Sequence, residues 1–168
     1  MTNFRDLFAA LVAVALVVGA LSLGTTLTVY RKRRRRSRDH EQARGRRIVA
    51  EIPGDDDLRL FTEDDRQFHY GAASVDKDRI AAVRVLINGA PIAAYVSTRH
   101  ATGAAMQATS FDDRPEGIAR DRWDVAIERA DGVMLVECGA IRERVSQELA
   151  RAVFDAVKAD VERRDAAA

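Results

Sequence analysis

The stretch Ala81-Ala82-Val83-Arg84-Val85-Leu86-Ile87-Asn88-Gly89-Ala90-Pro91-Ile92-Ala93-Ala94-Tyr95-Val96 decides the fold. Apolar residues alternate on both sides of Asn88-Gly89, and Asn-Gly is the dipeptide that tolerates positive φ at both centre positions of a type I′ turn. The spacing therefore predicts a two-residue hairpin that pairs Ile87 with Ala90, Val85 with Ile92, Val83 with Ala94 and Ala81 with Val96. All eight fall on one face, as burial of one side of a sheet requires. Pro91 has no N–H to give a second neighbour, which places an edge there.

Downstream, Trp123 to Cys138 repeats the pattern around Asp131-Gly132, the other strong hairpin dipeptide. Its register sets Ile127 against Val136 and Val125 against Cys138, so Cys138 reads as a core residue. It is the only cysteine, and one thiol forms neither an internal disulfide nor a cysteine-based zinc site. Upstream, Ile48–Ile52, Leu58–Phe61 and Gln67–Tyr70 read as strands. A loop at Asp64-Asp65 brings Phe61 opposite Phe68. Ala104–Phe111 reads as a further strand, with a short helix as the alternative, in an otherwise patternless run from Thr98 to Arg122.

From Ala140 to Arg163, Ile141, Val145, Leu149, Val153, Val157 and Val161 recur every four residues, an amphipathic helix that closes the chain. The 48–168 region is thus expected to be an α+β domain, an antiparallel meander of about six strands covered by one long C-terminal helix.

Towards the amino terminus the pattern changes. Leu7 to Tyr30 is 24 residues without a charge, and about 20 apolar residues cross a bilayer core. The block Arg31, Lys32, Arg33, Arg34, Arg35, Arg36 and Arg38 follows directly. Cations flanking a span stay on the cytoplasmic side. The expected organisation is a single transmembrane anchor over 1–30, a basic juxtamembrane linker over 31–47 and a cytosolic domain over 48–168, with the amino terminus outside. The basic residues are expected to meet anionic lipid headgroups. Ala9/Ala13, Ala15/Gly19 and Ala20/Gly24, small residues four apart, offer a second copy a close-packing surface within the anchor.

The net charge of +1 conceals a division. Residues 1–47 carry 11 Lys/Arg against 3 Asp/Glu, and the remainder 16 against 23. An anionic domain argues against nucleic acid, which needs clustered cations.

No reaction chemistry is legible. His40, His69 and His100 share no metal-ligand spacing, and His69, between Phe68 and Tyr70, should face outward. Asp55-Asp56-Asp57 and Glu63-Asp64-Asp65 lack the alternation of a calcium loop and read as solvated turns. Phosphate-loop, dinucleotide and nucleophile-elbow patterns do not occur. These observations point to a non-catalytic, membrane-anchored adaptor that presents its acidic domain or a sheet edge to a protein partner, without a cofactor. The alternatives are a module that senses a small molecule or lipid headgroup between sheet and helix and, ranked last, an enzyme with a dispersed site at His69 or His100. The layout of such a module is pleckstrin-homology-like only at the level of fold, which carries no function.

Overall fold

The computed structural model describes residues 4–54, 58–99, 122–140 and 143–167; within the first helix, side chains are described at 8, 11–17 and 31–43. The chain divides into two compact units, residues 1–40 and 41–168.

The first unit is helical. Helix α1 (Phe4–Ala43) runs through the apolar stretch and on through the whole basic block. Arg, Lys, Glu, Gln and Ala are good helix formers, so the residues read as a linker extend the helix and do not end it. Among the described residues no helix is long and apolar enough to cross a membrane. That finding corrects the expected transmembrane anchor, and the single-pass topology and the packing of small residues within a span lose their premise.

The second unit begins with four strands, β1 (Arg47–Pro53), β2 (Leu58–Glu63), β3 (Gln67–Tyr70) and β4 (Ala73–Asp76). They form an antiparallel sheet in chain order. After a single 3-10 turn at Lys77–Arg79, β5 (Ile80–Ile87), β6 (Ala90–Val96), β7 (Arg122–Arg129) and β8 (Gly132–Ala140) form a second antiparallel sheet. Its order is β6-β5-β7-β8. Helix α2 (Arg144–Ala166) closes the domain. Among the described residues the expected six-strand meander is corrected to eight strands in two sheets, the second of them not a meander. Ala73–Asp76, four residues after a glycine turn, was too short to show a period.

The registers show where local chemistry holds and where packing overrides it. Asn88 (φ 52°) and Gly89 (φ 78°) turn β5 into β6 as the dipeptide demands. Ile87 faces Ala90 and Leu86 faces Pro91, but a bulge between Val85 and Leu86 then shifts the register, so Val83 meets Tyr95. In the next hairpin Arg129 pairs with Gly132, and the loop is Ala130-Asp131. Val125 therefore meets Val136, where Cys138 was expected. A displacement of two leaves every side chain on its predicted face, and Cys138 stays in the core at 1 % exposure.

In the first sheet Phe61 faces Tyr70 and Glu63 faces Phe68, two residues from the expected pairing. The aromatic contact survives on the diagonal: the Phe61 and Phe68 rings stack with centroids 5.6 Å apart, within diagonal cross-strand reach.

One core joins both sheets and α2. Ile52, Phe61, Phe68 and Val75 come from the first sheet, Ile80, Val83, Val125, Ile127 and Val136 from the second, and Ala150, Val153, Val157 and Val161 from the helix. Each fully buried valine is worth roughly 1.5–3 kcal/mol relative to exposure. The buried stripe of α2 is Ser146, Ala150, Val153, Val157, Asp160 and Val161, steps of four and three that track 3.6 residues per turn. A row of every fourth residue drifts by about 40° per step. Val145, four such steps from Val161, has consequently wound round to solvent and is 59 % exposed. Ile141 lies outside the described residues.

Candidate functional site

Three features of the domain and one of α1 have the makings of a site. The first is β6. Among the described residues it is the terminal strand of its sheet, and all its residues except Tyr95 are exposed. No side chain from Ala90 to Val96 is charged, whereas sheet edges are ordinarily blunted by charge. Its C-terminal end is fixed by α2. The Asp165 carboxylate accepts from Ser97 Oγ at 2.7 Å, Tyr95 Oη at 3.1 Å and the Thr98 amide at 3.0 Å. Burial pushes the Asp165 carboxyl up, but these hydrogen bonds prevail and hold it below the usual range. The strand is rigidly presented at that end while its outer row of backbone groups faces away from the sheet.

The second feature lies at the β2–β3 turn. Asp64 Oδ1 accepts the amides of Arg66 and Gln67 at 2.8 and 2.7 Å, an Asx-type closure that explains an Asp at the head of this turn. Its other oxygen, Oδ2, lies 2.7 Å from His69 Nε2. Burial raises the Asp64 carboxyl, and the His69 hydrogen bond, the two amides and the His69 charge outweigh it, bringing the pKa down to about 2. The expectation for His69 is corrected in part. It does point away from the core, between Thr62 on β2 and Ser74 on β4, but it is only 8 % exposed.

The third is a buried charge network. Lys77, 6 % exposed, reaches Glu63 at 3.1 Å and Asp160 at 3.6 Å, and its ammonium sits 4.7 Å over the Phe68 ring. Asp160, 3 % exposed, also takes Arg163 at 2.8 Å and Arg164 at 2.7 Å. Arg47 pairs with Glu63, and Arg164 with Asp78. Buried ions persist only when paired and hydrogen-bonded; this network ties the first sheet to α2 and is structural.

The acidic run Glu63-Asp64-Asp65 is therefore divided: Glu63 serves Lys77, Asp64 serves His69, and Asp65 is exposed. Among the described residues no group of three or more His, Cys, Asp or Glu side chains is placed to hold a metal ion. Asp55-Asp56-Asp57 and His100 lie outside the described residues, as does Ala104–Phe111. His40 occupies the last turn of α1. Cys138 is buried, and burial, with the Asp124 charge adding to it, pushes its thiol up to about 12.

On α1, Arg31, Lys32, Arg33, Arg34, Arg35, Arg36 and Arg38 are all exposed. At about 100° per residue they surround the helix and form no single stripe.

Asp160, Lys77 and Asp165 went unread in the sequence. Only Asp160 carried a signal, a charged residue beside Val161 on the steps of three and four that bury the stripe. Compared with known proteins, the chain matches no family model, no curated protein and no solved structure.

Proposed function

We propose that the chain is a non-catalytic adaptor or regulatory protein whose acidic domain offers β6 as a sheet edge to an extended segment of a protein partner. The observation that carries this reading is the edge itself: terminal in its sheet, exposed along nearly its whole length, free of charged side chains and anchored at one end by Asp165. An added strand gains its affinity from main-chain hydrogen bonds and its selectivity from alternate side chains. The exposed cations Arg31 to Arg38 engage anionic lipid headgroups, each contributing about 1 kcal/mol near such a surface.

Photo-crosslinking in cells tests the edge. A photoreactive residue at Ala94 should capture a partner that the same residue at Glu148, exposed on α2, does not. Ile92→Lys should abolish that capture while leaving the thermal midpoint unchanged, since Ile92 is exposed. Equal capture at both positions, or capture indifferent to the lysine, overturns the proposal. The alternative, a ligand held between sheet and helix, draws no support from that interface, which Ala150, Val153, Val157 and Val161 fill with buried side chains.

A further inference from the structure

We propose that the occupant of the β6 edge is a second copy of this chain, the two β6 strands pairing antiparallel about a twofold axis at Tyr95; this rests on the reading of β6 as an edge that a partner strand joins. The sheets have other ends. Among the described residues β1, β4 and β8 are also terminal, but β1 carries Arg47 and Glu51, β4 carries Asp76 and β8 carries Glu137. Such charges keep edges apart. Of these terminal strands β6 alone, from Ala90 to Val96, has none.

The direction of its backbone groups sets the register. The Ser97 amide donates to the Ala81 carbonyl at 2.8 Å, and Val83 is paired with Tyr95 and Ala82 with Val96. Bonded and non-bonded pairs alternate along an antiparallel ladder. Tyr95 therefore turns its amide and carbonyl towards β5, while Ala94 and Val96 turn theirs away from the sheet. This outward row is bounded. At one end the Thr98 amide is taken by Asp165 at 3.0 Å. At the other, the bulge opposite Val85 and Leu86 leaves Ile92 out of the ladder.

A window with these limits suits its own copy. A long extended segment runs on past both ends, whereas a second β6 brings the same two ends in reverse order, as an isologous interface requires. With Tyr95 at the axis, Ala94 pairs with the partner's Val96 and Val96 with the partner's Ala94. Every outward amide and carbonyl in the window is then satisfied, and each small side chain meets a β-branched one. Tyr95 faces the partner's Tyr95 as a non-bonded pair, with Cα atoms about 4.5 Å apart. Charge permits the approach although the domain is acidic. Across from Ala94, Arg84 is bound to Glu128 at 2.7 Å. Lys158, its ammonium 6.0 Å from the Tyr95 ring centroid, is bound to Glu162 at 3.5 Å, and the Asp165 carboxylate already accepts from Tyr95, Ser97 and Thr98. The contact joins two four-stranded sheets edge to edge. It is small, so the dimer is weak and forms with rising concentration.

Cysteine crosslinking of the full chain tests this, with the buried Cys138 left in place. Under mild oxidation at about 0.1 mM chain, Tyr95→Cys should form an interchain disulfide about tenfold faster than Glu148→Cys, because the Cα separation is within disulfide reach and a held thiol has an effective concentration in the millimolar range. Glu148 is exposed on α2 and supplies the rate of random encounter. Adding Ala94→Pro, which removes an amide that β5 does not use, should bring Tyr95→Cys down to that rate. A second measurement leaves Tyr95 intact. Chains carrying Ala94→Cys, mixed with chains carrying Val96→Cys, both at exposed positions, should crosslink to each other faster than either does to itself. Equal rates for Tyr95→Cys and Glu148→Cys overturn self-pairing; if Tyr95→Cys fails to fold, a mixture without preference overturns it alone. The photoreactive residue at Ala94 separates this failure from that of the edge. Capture of a different protein in place of a second copy refutes the dimer and leaves β6 a partner's edge, and capture of nothing refutes both.

Discussion

Gly139 is the position where one added carbon does the most damage. It sits near the end of β8 at φ +111°, a backbone conformation that L side chains rarely adopt. A Cβ built there would lie 2.6 Å from Ser146 Oγ. Ser146 has little room to yield. It is 2 % exposed in the first turn of α2, its amide donates to the Glu143 carbonyl at 3.1 Å, and its hydroxyl donates to the Glu143 carboxylate at 3.3 Å. Two costs add in Gly139→Ala. The backbone strain is about 1–3 kcal/mol, and the forced repacking is also about 1–3 kcal/mol. The expected loss is therefore about 2–6 kcal/mol of unfolding free energy, read by urea denaturation of the full chain with the slope unchanged. The Ser146→Ala background separates the two terms, because it removes Oγ and leaves φ untouched. There, the same glycine substitution should cost only the backbone part, about 1–3 kcal/mol, and a double-mutant cycle should return the repacking part as a coupling of about 1–3 kcal/mol. A cost below about 0.5 kcal/mol, the scale of an inconsequential surface change, refutes the reasoning. Equal costs in the two backgrounds refute the clash.

Val157→Ala, fully buried on α2, should cost about 1.5–3 kcal/mol in the same assay, and Val145→Ala, on the exposed side of that helix, less than about 0.5 kcal/mol; equal losses would contradict the stripe described for α2. The depressed Asp64 carboxyl fixes the sign of an acid effect. Its contribution is complete above the ordinary carboxylate value of 3.8 and is lost as pH falls towards about 2. Asp64→Asn should accordingly destabilise the protein at pH 6 and remove part of its acid sensitivity below pH 4, as followed by thermal midpoint against pH. Cys138 should resist a thiol reagent in the native protein at pH 8, since burial holds it protonated with a pKa of about 12; modification should occur only at the rate of unfolding, and a burst of labelling would contradict its placement.

The parts of this fold that were legible in the sequence are those governed by a few adjacent residues. Asn88-Gly89 specified a turn because both φ values must be positive there, and it stands where expected. Asp131-Gly132 specified a hairpin but misplaced its loop, since a longer-range match of Val125 with Val136 competes with the turn's own preference. Side-chain faces survived that displacement, so the core residues of β7 and β8 were predictable although their partners were not. The pairing of β5 with β7, some forty residues apart, leaves no local mark, and neither does the division into two sheets. In α2 an every-fourth-residue row looked like a stripe, yet helical geometry rotates it out of the core by Val145. The site was the least legible part. His69 alternates with two aromatics as an outward-facing strand residue should, and nothing in Phe68-His69-Tyr70 reveals that Asp64 meets it. Exposure of β6 follows from sheet order, which is a property of the whole domain.

The core also sets an order of events during synthesis. Asp160 and Val161 belong to the last helix, yet Asp160 completes the surroundings of Lys77, and Val161 packs into the same core as both sheets. Tyr95 waits seventy residues for Asp165. Once β8 has left the ribosome, the eight described strands are out while their common apolar side is still open. For the time α2 takes to emerge, the nascent domain exposes Phe61, Phe68 and Ile127 to whatever holds unfinished chains. The final step in folding this domain therefore waits for α2, and premature termination anywhere before Val161 should yield a substrate for chaperones and proteases.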